Sequence, residues 1–242
     1  MIIENSTIVV TGAGRGIGFA LVRAALAAGA GVVYAGVRNR EQIAALEALD
    51  PHRVKPLLVD VADPAAVARA AETAADAAIV INNAGVLYPG DPLTGSLEAF
   101  ETTFATNFYG VLHVARAFAP VIEKNGGGAL VNVGSLMSLA AMPALTAYSA
   151  SKAALWSLTQ SLRATLAPRG ISVSCVFPGL VDTDMARSFD LAKANADDVA
   201  AAIIAGLRAD KSEILPDPMA ISVYDAWRGD HKSVEKQFAA LI

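Results

Sequence analysis

Cysteine, histidine and charge are all scarce in this 242-residue sequence, and each shortage excludes something. Cys175 is the only cysteine, so no internal disulfide can form; with His52, His113 and His231 scattered along the chain, a Cys/His metal cluster has too few members. No metal site is expected, and a reducing, cytoplasmic setting fits these counts. Lysine and arginine total 19 against 23 acidic residues, a net charge of -4 that leaves no basic footprint for nucleic acid. Charged residues make up only 17% and aromatics 6%, while 54% are apolar, which excludes disorder. A chain of this length buries roughly three quarters of its unfolded surface and needs no covalent staple.

Nor is there a credible membrane span. The charge-free run 125–151 holds Gly126-Gly127-Gly128, Asn132, Ser135, Ser138, Pro143, Thr146 and Ser149, whose polar groups a bilayer core would leave unsatisfied. The opening residues, MIIENSTIVVTG, carry no cationic signal-peptide start.

What is present is alternation. Thr7 to Thr11 reads as a strand, followed by glycines and a helix from Ile17 to Ala28 that stops at Gly29. Strand Val32 to Gly36, helix Arg40 to Leu49, strand Pro56 to Val59, helix Pro64 to Ala75 and strand Ile79 to Ile81 continue the pattern. Leu97 to Glu123 repeats Phe100, Phe104, Phe108 and Leu112 every four residues and reads as one long helix. Strand Ala129 to Val133, helix Ala147 to Leu166, strand Ser172 to Phe177, helix Ala196 to Ala209 and strand Glu213 to Leu215 follow, before a polar helical tail, Val223 to Leu241. The expected fold is α/β: a Rossmann-like doubly wound parallel sheet of about seven strands, helices on both faces, in a single domain over 1–242.

Thr11-Gly12-Ala13-Gly14-Arg15-Gly16-Ile17-Gly18 occupies the first strand-to-helix junction. Glycines there permit positive φ and close backbone approach to a pyrophosphate, which would meet the unpaired amides of the helix start. Ile17 breaks the G-x-G-x-x-G spacing; T-G-x-x-x-G-x-G through Gly12, Gly16 and Gly18 fits instead. An ordinary glycine-rich turn is the alternative, and the flanking strand and helix favour a dinucleotide. The second strand ends Gly36-Val37-Arg38-Asn39, with no acidic residue where an NAD site places one. Arg38 and Arg15 would suit a 2′-phosphate, so NADP is the expected cofactor, NADPH preferred over NADH; two solvated loop arginines are the alternative.

Tyr148 and Lys152 fall four apart at a helix start and share one face. An ammonium beside a phenol favours the phenolate, so the pair suits proton transfer, with the tyrosine expected to titrate nearer neutrality. An amphipathic surface pair is the other reading of that spacing.

Taken in order, Thr11 to Gly18, Asn82-Asn83-Ala84-Gly85, Asn107, Ser135, Tyr148 with Lys152, and Pro178-Gly179 with Thr183 resemble the short-chain dehydrogenase/reductase family, from the first strand through Thr183. The resemblance implies an NADP(H)-dependent oxidoreductase interconverting a ketone or aldehyde and an alcohol; a non-catalytic NADP-binding sensor or scaffold of the same fold is the alternative. It implies that Ser135 binds the carbonyl oxygen and that Tyr148 is the acid and base. Lys152 would hold the nicotinamide ribose and lower the tyrosine pKa, and Asn107 would keep a relay water. Gly12, Arg15, Gly16, Ile17, Gly18 and Arg38 would serve the phosphates, Asp60 and Val61 the adenine, and Asn83, Ala84 and Gly85 the middle of the cofactor. Pro178, Gly179, Val181 and Thr183 would meet the carboxamide.

Asp60 could equally cap the next helix, Ser138 is the decoy beside Ser135, and Cys175 reads as core. A substrate loop at about 184–196 brings Met185, Phe189 and Leu191 and suggests an apolar pocket for a small carbonyl or alcohol substrate. Family assemblies imply a homo-oligomer, dimer or tetramer. Phe100, Phe104 and Phe108 would belong to the core or to a dimer face, the core being favoured. The tail departs from the many relatives that end in an Asp-Gly-Gly tetramer contact, because Asp217 is followed here by a helical segment.

Overall fold

Valine, isoleucine and leucine fill the strands on both faces, as a sheet covered on two sides requires. The computed structural model describes residues 1–241. In chain order they form β1 (Thr7–Val10), α1 (Gly16–Ala27), β2 (Val32–Val37), α2 (Ile43–Glu47), β3 (Val54–Leu58), α3 (Pro64–Thr73), β4 (Ile79–Asn82) and α4 (Leu97–Phe104). Then come α5 (Gly110–Lys124), β5 (Gly128–Val133), α6 (Thr146–Leu166), β6 (Ile171–Val176), α7 (Ala196–Arg208), β7 (Glu213–Ile214), α8 (Pro218–Gly229) and α9 (His231–Ala239).

The sheet runs β3-β2-β1-β4-β5-β6-β7, every pair parallel. Successive residues point to opposite faces. Ile8, Val10, Ile79, Ile81 and Val131 therefore pack with α1 and α7, while Val9, Val80, Leu130 and Val173 pack with α3 and α5. Strand order reverses between β1 and β4, and a crevice opens there beyond the carboxyl ends of the strands. The expected doubly wound, single-domain α/β fold is the fold observed.

Local expectations needed four adjustments. The long helix is interrupted by a π-helical turn at Ala105–Tyr109 that separates α4 from α5. Phe100, Phe104 and Phe108 are half-buried rather than core, because a four-residue spacing advances about 40° beyond one turn at each step and carries the stripe off the inner face. The expected helix at 40–49 is a short 3₁₀ turn, Arg40–Gln42, running into α2. β3 begins at Val54, ahead of Pro56, which an edge strand tolerates.

The tail is two helices. Asp217 caps α8 and Asp230 caps α9, each accepting backbone N–H bonds. Val234 and Phe238 bury against Leu136, Cys175 and Phe177, so the tail forms a wall behind β5 and β6. No helix among the described residues is long and apolar enough to cross a membrane.

Candidate active site

The junction of β1 and α1 is built so that backbone can approach a ligand. The Thr11 hydroxyl accepts N–H bonds from Asn83 and Ala84, both at 3.1 Å, and Asn83 Nδ2 donates to the carbonyls of Thr11 (3.0 Å) and Gly12 (3.1 Å). Gly12 has φ of +65°, and a Cβ there would stand 2.8 Å from the Ala84 Cα. A Cβ on Gly18 would overlap the Gly12 carbonyl oxygen, so the turn folds back on its own helix only with glycine. No side chain among the described residues caps α1, which leaves its first amides open to an anion from the cleft.

Arg15 and Arg38 flank this end of the cleft, and both are exposed. Arg15 reaches across to Asp184 at 3.3 Å, with its side chain 70% exposed, while Arg38 forms no ion pair among the described residues. Gln42 belongs to no motif: its carboxamide lies over Gly14, where a Cβ would overlap it, and it lines the cleft. Asp60 accepts the Ala62 N–H at 3.0 Å, whereas the cap of α3 is Asp63, so Asp60 remains available at the cleft wall beside Val61.

At the opposite end, β5 delivers Ser135 and α6 delivers Tyr148 and Lys152. The Ser135 oxygen accepts the Met137 N–H at 3.1 Å, and its own N–H donates to Ser138 Oγ at 3.2 Å. Ser138 thus braces the turn without lining the cleft. Lys152, 4% exposed, donates from Nζ to the Val133 carbonyl at 2.7 Å and lies 5.5 Å from the centre of the Tyr148 ring.

Burial pushes the Tyr148 phenol up to about 12, with the Ser135 side chain pulling the other way. This reverses the expected lowering. Burial also brings the Lys152 ammonium down to about 8, with Cys175 opposing, so the loss of water around the pair, rather than the neighbouring ammonium, sets the direction of the phenol's shift. Burial likewise drives the Cys175 thiol up to about 12, which keeps it neutral and inert, as a core residue should be.

Of the anticipated site residues, Gly12, Arg15, Gly16, Ile17, Gly18, Arg38, Asp60, Val61, Asn83, Ala84, Gly85, Ser135, Tyr148, Lys152, Pro178, Gly179, Val181 and Thr183 line one continuous cleft of about 330 Å³. Asn107 stands behind its wall. It lies in the π-helical turn, fully buried; its Oδ1 accepts the Val86 N–H (2.9 Å) and its Nδ2 donates to the Val86 carbonyl (2.9 Å) and Ser151 Oγ (3.0 Å).

The segment after β6 is pinned at both ends. Asp182 donates to the Ala194 carbonyl and Ala194 to the Leu180 carbonyl, which closes the base of the excursion 183–193. Met185 and Phe189 face the cleft from this excursion, while Leu191 is exposed outside it.

In doubly wound parallel sheets, the crevice where the strand order reverses is where ligands bind, and the cleft lies there. Residues 6–194 match the family described as short chain dehydrogenase, and the chain belongs to that family of oxidoreductases. It is 39% identical over 196 residues to 1-deoxy-11-beta-hydroxypentalenate dehydrogenase of Streptomyces avermitilis, covering 77% of this chain and 73% of the relative. A short chain dehydrogenase from Burkholderia cenocepacia, solved in complex with NADP, superimposes with a TM-score of 0.92 at 36% identity, covering 98% of this chain and 99% of that one. A relative from Burkholderia phymatum in complex with NAD shares the fold, with a TM-score of 0.87 at 24% identity over 98% of this chain and 96% of its own.

Proposed function

We propose that the protein is an NADPH-dependent carbonyl reductase, or in reverse an alcohol dehydrogenase, acting on a ketone or aldehyde of moderate size and apolar character. The observation that carries this reading is the convergence of Ser135, Tyr148 and Lys152 at one end of a cleft whose other end is the glycine turn and Arg38. The cradle fits the cofactor: Gly12 and Gly18 permit close approach, the α1 amides are open, and Arg38 is free to meet a 2′-phosphate. NADP bound by the neighbour at 36% identity supports the same preference.

The nicotinamide, when bound, supplies or accepts the hydride. Ser135 and Tyr148 donate hydrogen bonds to the substrate oxygen, where negative charge grows as the carbonyl is reduced. Because burial keeps the Tyr148 phenol protonated, it enters reduction ready to give its proton to that oxygen. Lys152, at one turn's distance, holds ribose hydroxyls and stabilises the phenolate left behind. Asn107 fixes the Val86 backbone and the α6 start behind them, and a water held near Lys152 would return the proton from solvent. Met185 and Phe189, with the loop at about 184–196, close an apolar substrate pocket. Assembly as a homo-oligomer, dimer or tetramer, belongs to the same reading.

The test is a spectrophotometric panel following NADPH and NADH oxidation with ketones, aldehydes, β-ketoesters and quinones. NADPH-dependent reduction of an apolar member supports the reading; NADPH binding without turnover on any member would return the protein to the sensor class.

A further inference from the structure

Asp217 is 4% exposed, and no cation pairs with it among the described residues. Both of its carboxylate oxygens are instead committed to backbone amides. Oδ1 accepts the Ala220 N–H at 2.8 Å, the N-cap bond of α8, and Oδ2 accepts the Gly179 N–H at 2.8 Å, thirty-eight positions back in the chain. Capping alone needs one oxygen, which serine or threonine supplies without burying a charge. The second oxygen is what an aspartate adds, and it goes to Gly179.

Gly179 is pressed against the same segment. A Cβ on it would lie 2.8 Å from Asp217 Oδ1 and 3.0 Å from the Met219 Cβ. From the other side, the Pro178 carbonyl accepts the Leu136 N–H at 3.2 Å, the residue next to Ser135. The Pro178–Gly179 peptide is therefore clamped between the turn that carries Ser135 and the start of α8. Phe177, one residue earlier, is fixed edge-on to Trp156 (4.9 Å) and against Tyr224 of α8 (5.8 Å).

We propose that Asp217 is a positioning residue for the nicotinamide end of the cleft: through Gly179 it sets where the Pro178–Gly179 backbone stands relative to Ser135. This rests on the cofactor reading above. The C-terminal helices then belong to the machinery that orients the ring.

Asp217→Ser separates the two bonds, since the shorter hydroxyl keeps the cap on Ala220 and loses Gly179. Thermal midpoint, affinity for NADPH, and affinity for 2′,5′-ADP, which lacks the nicotinamide, are measured on the full-length protein. Expected are a midpoint lowered modestly by the unpaired Gly179 N–H, 2′,5′-ADP affinity within about twofold, and NADPH binding weaker by about tenfold as the Pro178–Gly179 peptide is released from its position. Equal weakening of both ligands marks a merely structural residue and overturns the proposal, as does unchanged affinity for both. If the serine variant does not fold, Asp217→Asn, which sets an amide NH₂ against one of the two donors, carries the same comparison. A wild-type protein that binds neither ligand brings down the cofactor reading and this inference together. Wild-type binding of both, matched by the variant, overturns this inference alone.

Discussion

The Nζ of Lys152 stands 5.5 Å from the centre of the Tyr148 ring, one turn along α6, and burial drives both groups toward their neutral forms. A neutral phenol is a proton donor in waiting. A lysine that titrates near 8 makes the pair sensitive to mild alkali in a way that an exposed lysine would not.

Tyr148→Phe removes the donor and leaves the ring. Turnover of a carbonyl substrate should fall roughly 10²- to 10⁴-fold while NADPH affinity changes little. Wild-type-like turnover in this variant would remove Tyr148 from the chemistry.

Carbonyl reduction needs phenol and ammonium together, so kcat/KM should hold through neutral pH and decline as pH rises past about 8, where Lys152 loses its proton. Lys152→Arg should shift that decline to higher pH even at reduced overall rate. A profile unchanged in the arginine variant would assign the decline to another group.

The same titration affects stability. Because the folded-state pKa of Lys152 lies below the ordinary 10.5, the unfolded chain binds more protons between about 8 and 10.5, and wild-type stability gains from this group as pH rises through that window. Below pH 8 the buried ammonium is a liability on the order of 3 kcal/mol. Lys152→Met should therefore be more stable than wild type at pH 7, with the gap narrowing toward pH 10.5; urea melts at both ends of the window test it.

Arg38→Asp replaces a cation that forms no ion pair among the described residues, at the end of β2, with a carboxylate. The NADPH-to-NADH preference should shift by roughly 10- to 100-fold toward NADH, the worth of one charge-assisted hydrogen bond. An unchanged ratio of kcat/KM values would leave Arg38 a solvated loop residue.

Gly18→Ala sets a methyl group into the Gly12 carbonyl. Relieving that overlap should cost about 1–3 kcal/mol and open the glycine turn, weakening NADPH binding. Unaltered thermal midpoint and affinity would show that the turn has slack.

Local signals made much of this legible. The Val- and Ile-rich strands, the glycine junction and the Tyr148/Lys152 spacing each depend on residues within one or two turns of one another, and the structure brings their products together at a single cleft. The interruption at Ala105–Tyr109 left no such trace, because one added residue per turn does not alter a pattern of phenylalanines already drifting around the helix. The direction of the Tyr148 shift depends on water being excluded by segments far away in sequence, so spacing to Lys152 could not reveal it. Gln42 over Gly14 and Asp217 on Gly179 are likewise contacts between distant segments, and neither carries a motif.

The wall of Val234 and Phe238 behind Leu136 and Phe177 has a consequence for the order of events during synthesis. Those two side chains leave the ribosome about a hundred residues after Leu136, well after β1 to β6 are available to pair. A nascent chain thus holds a nearly finished sheet whose back surface, around Phe177 and Cys175, stays wet until the last helices dock.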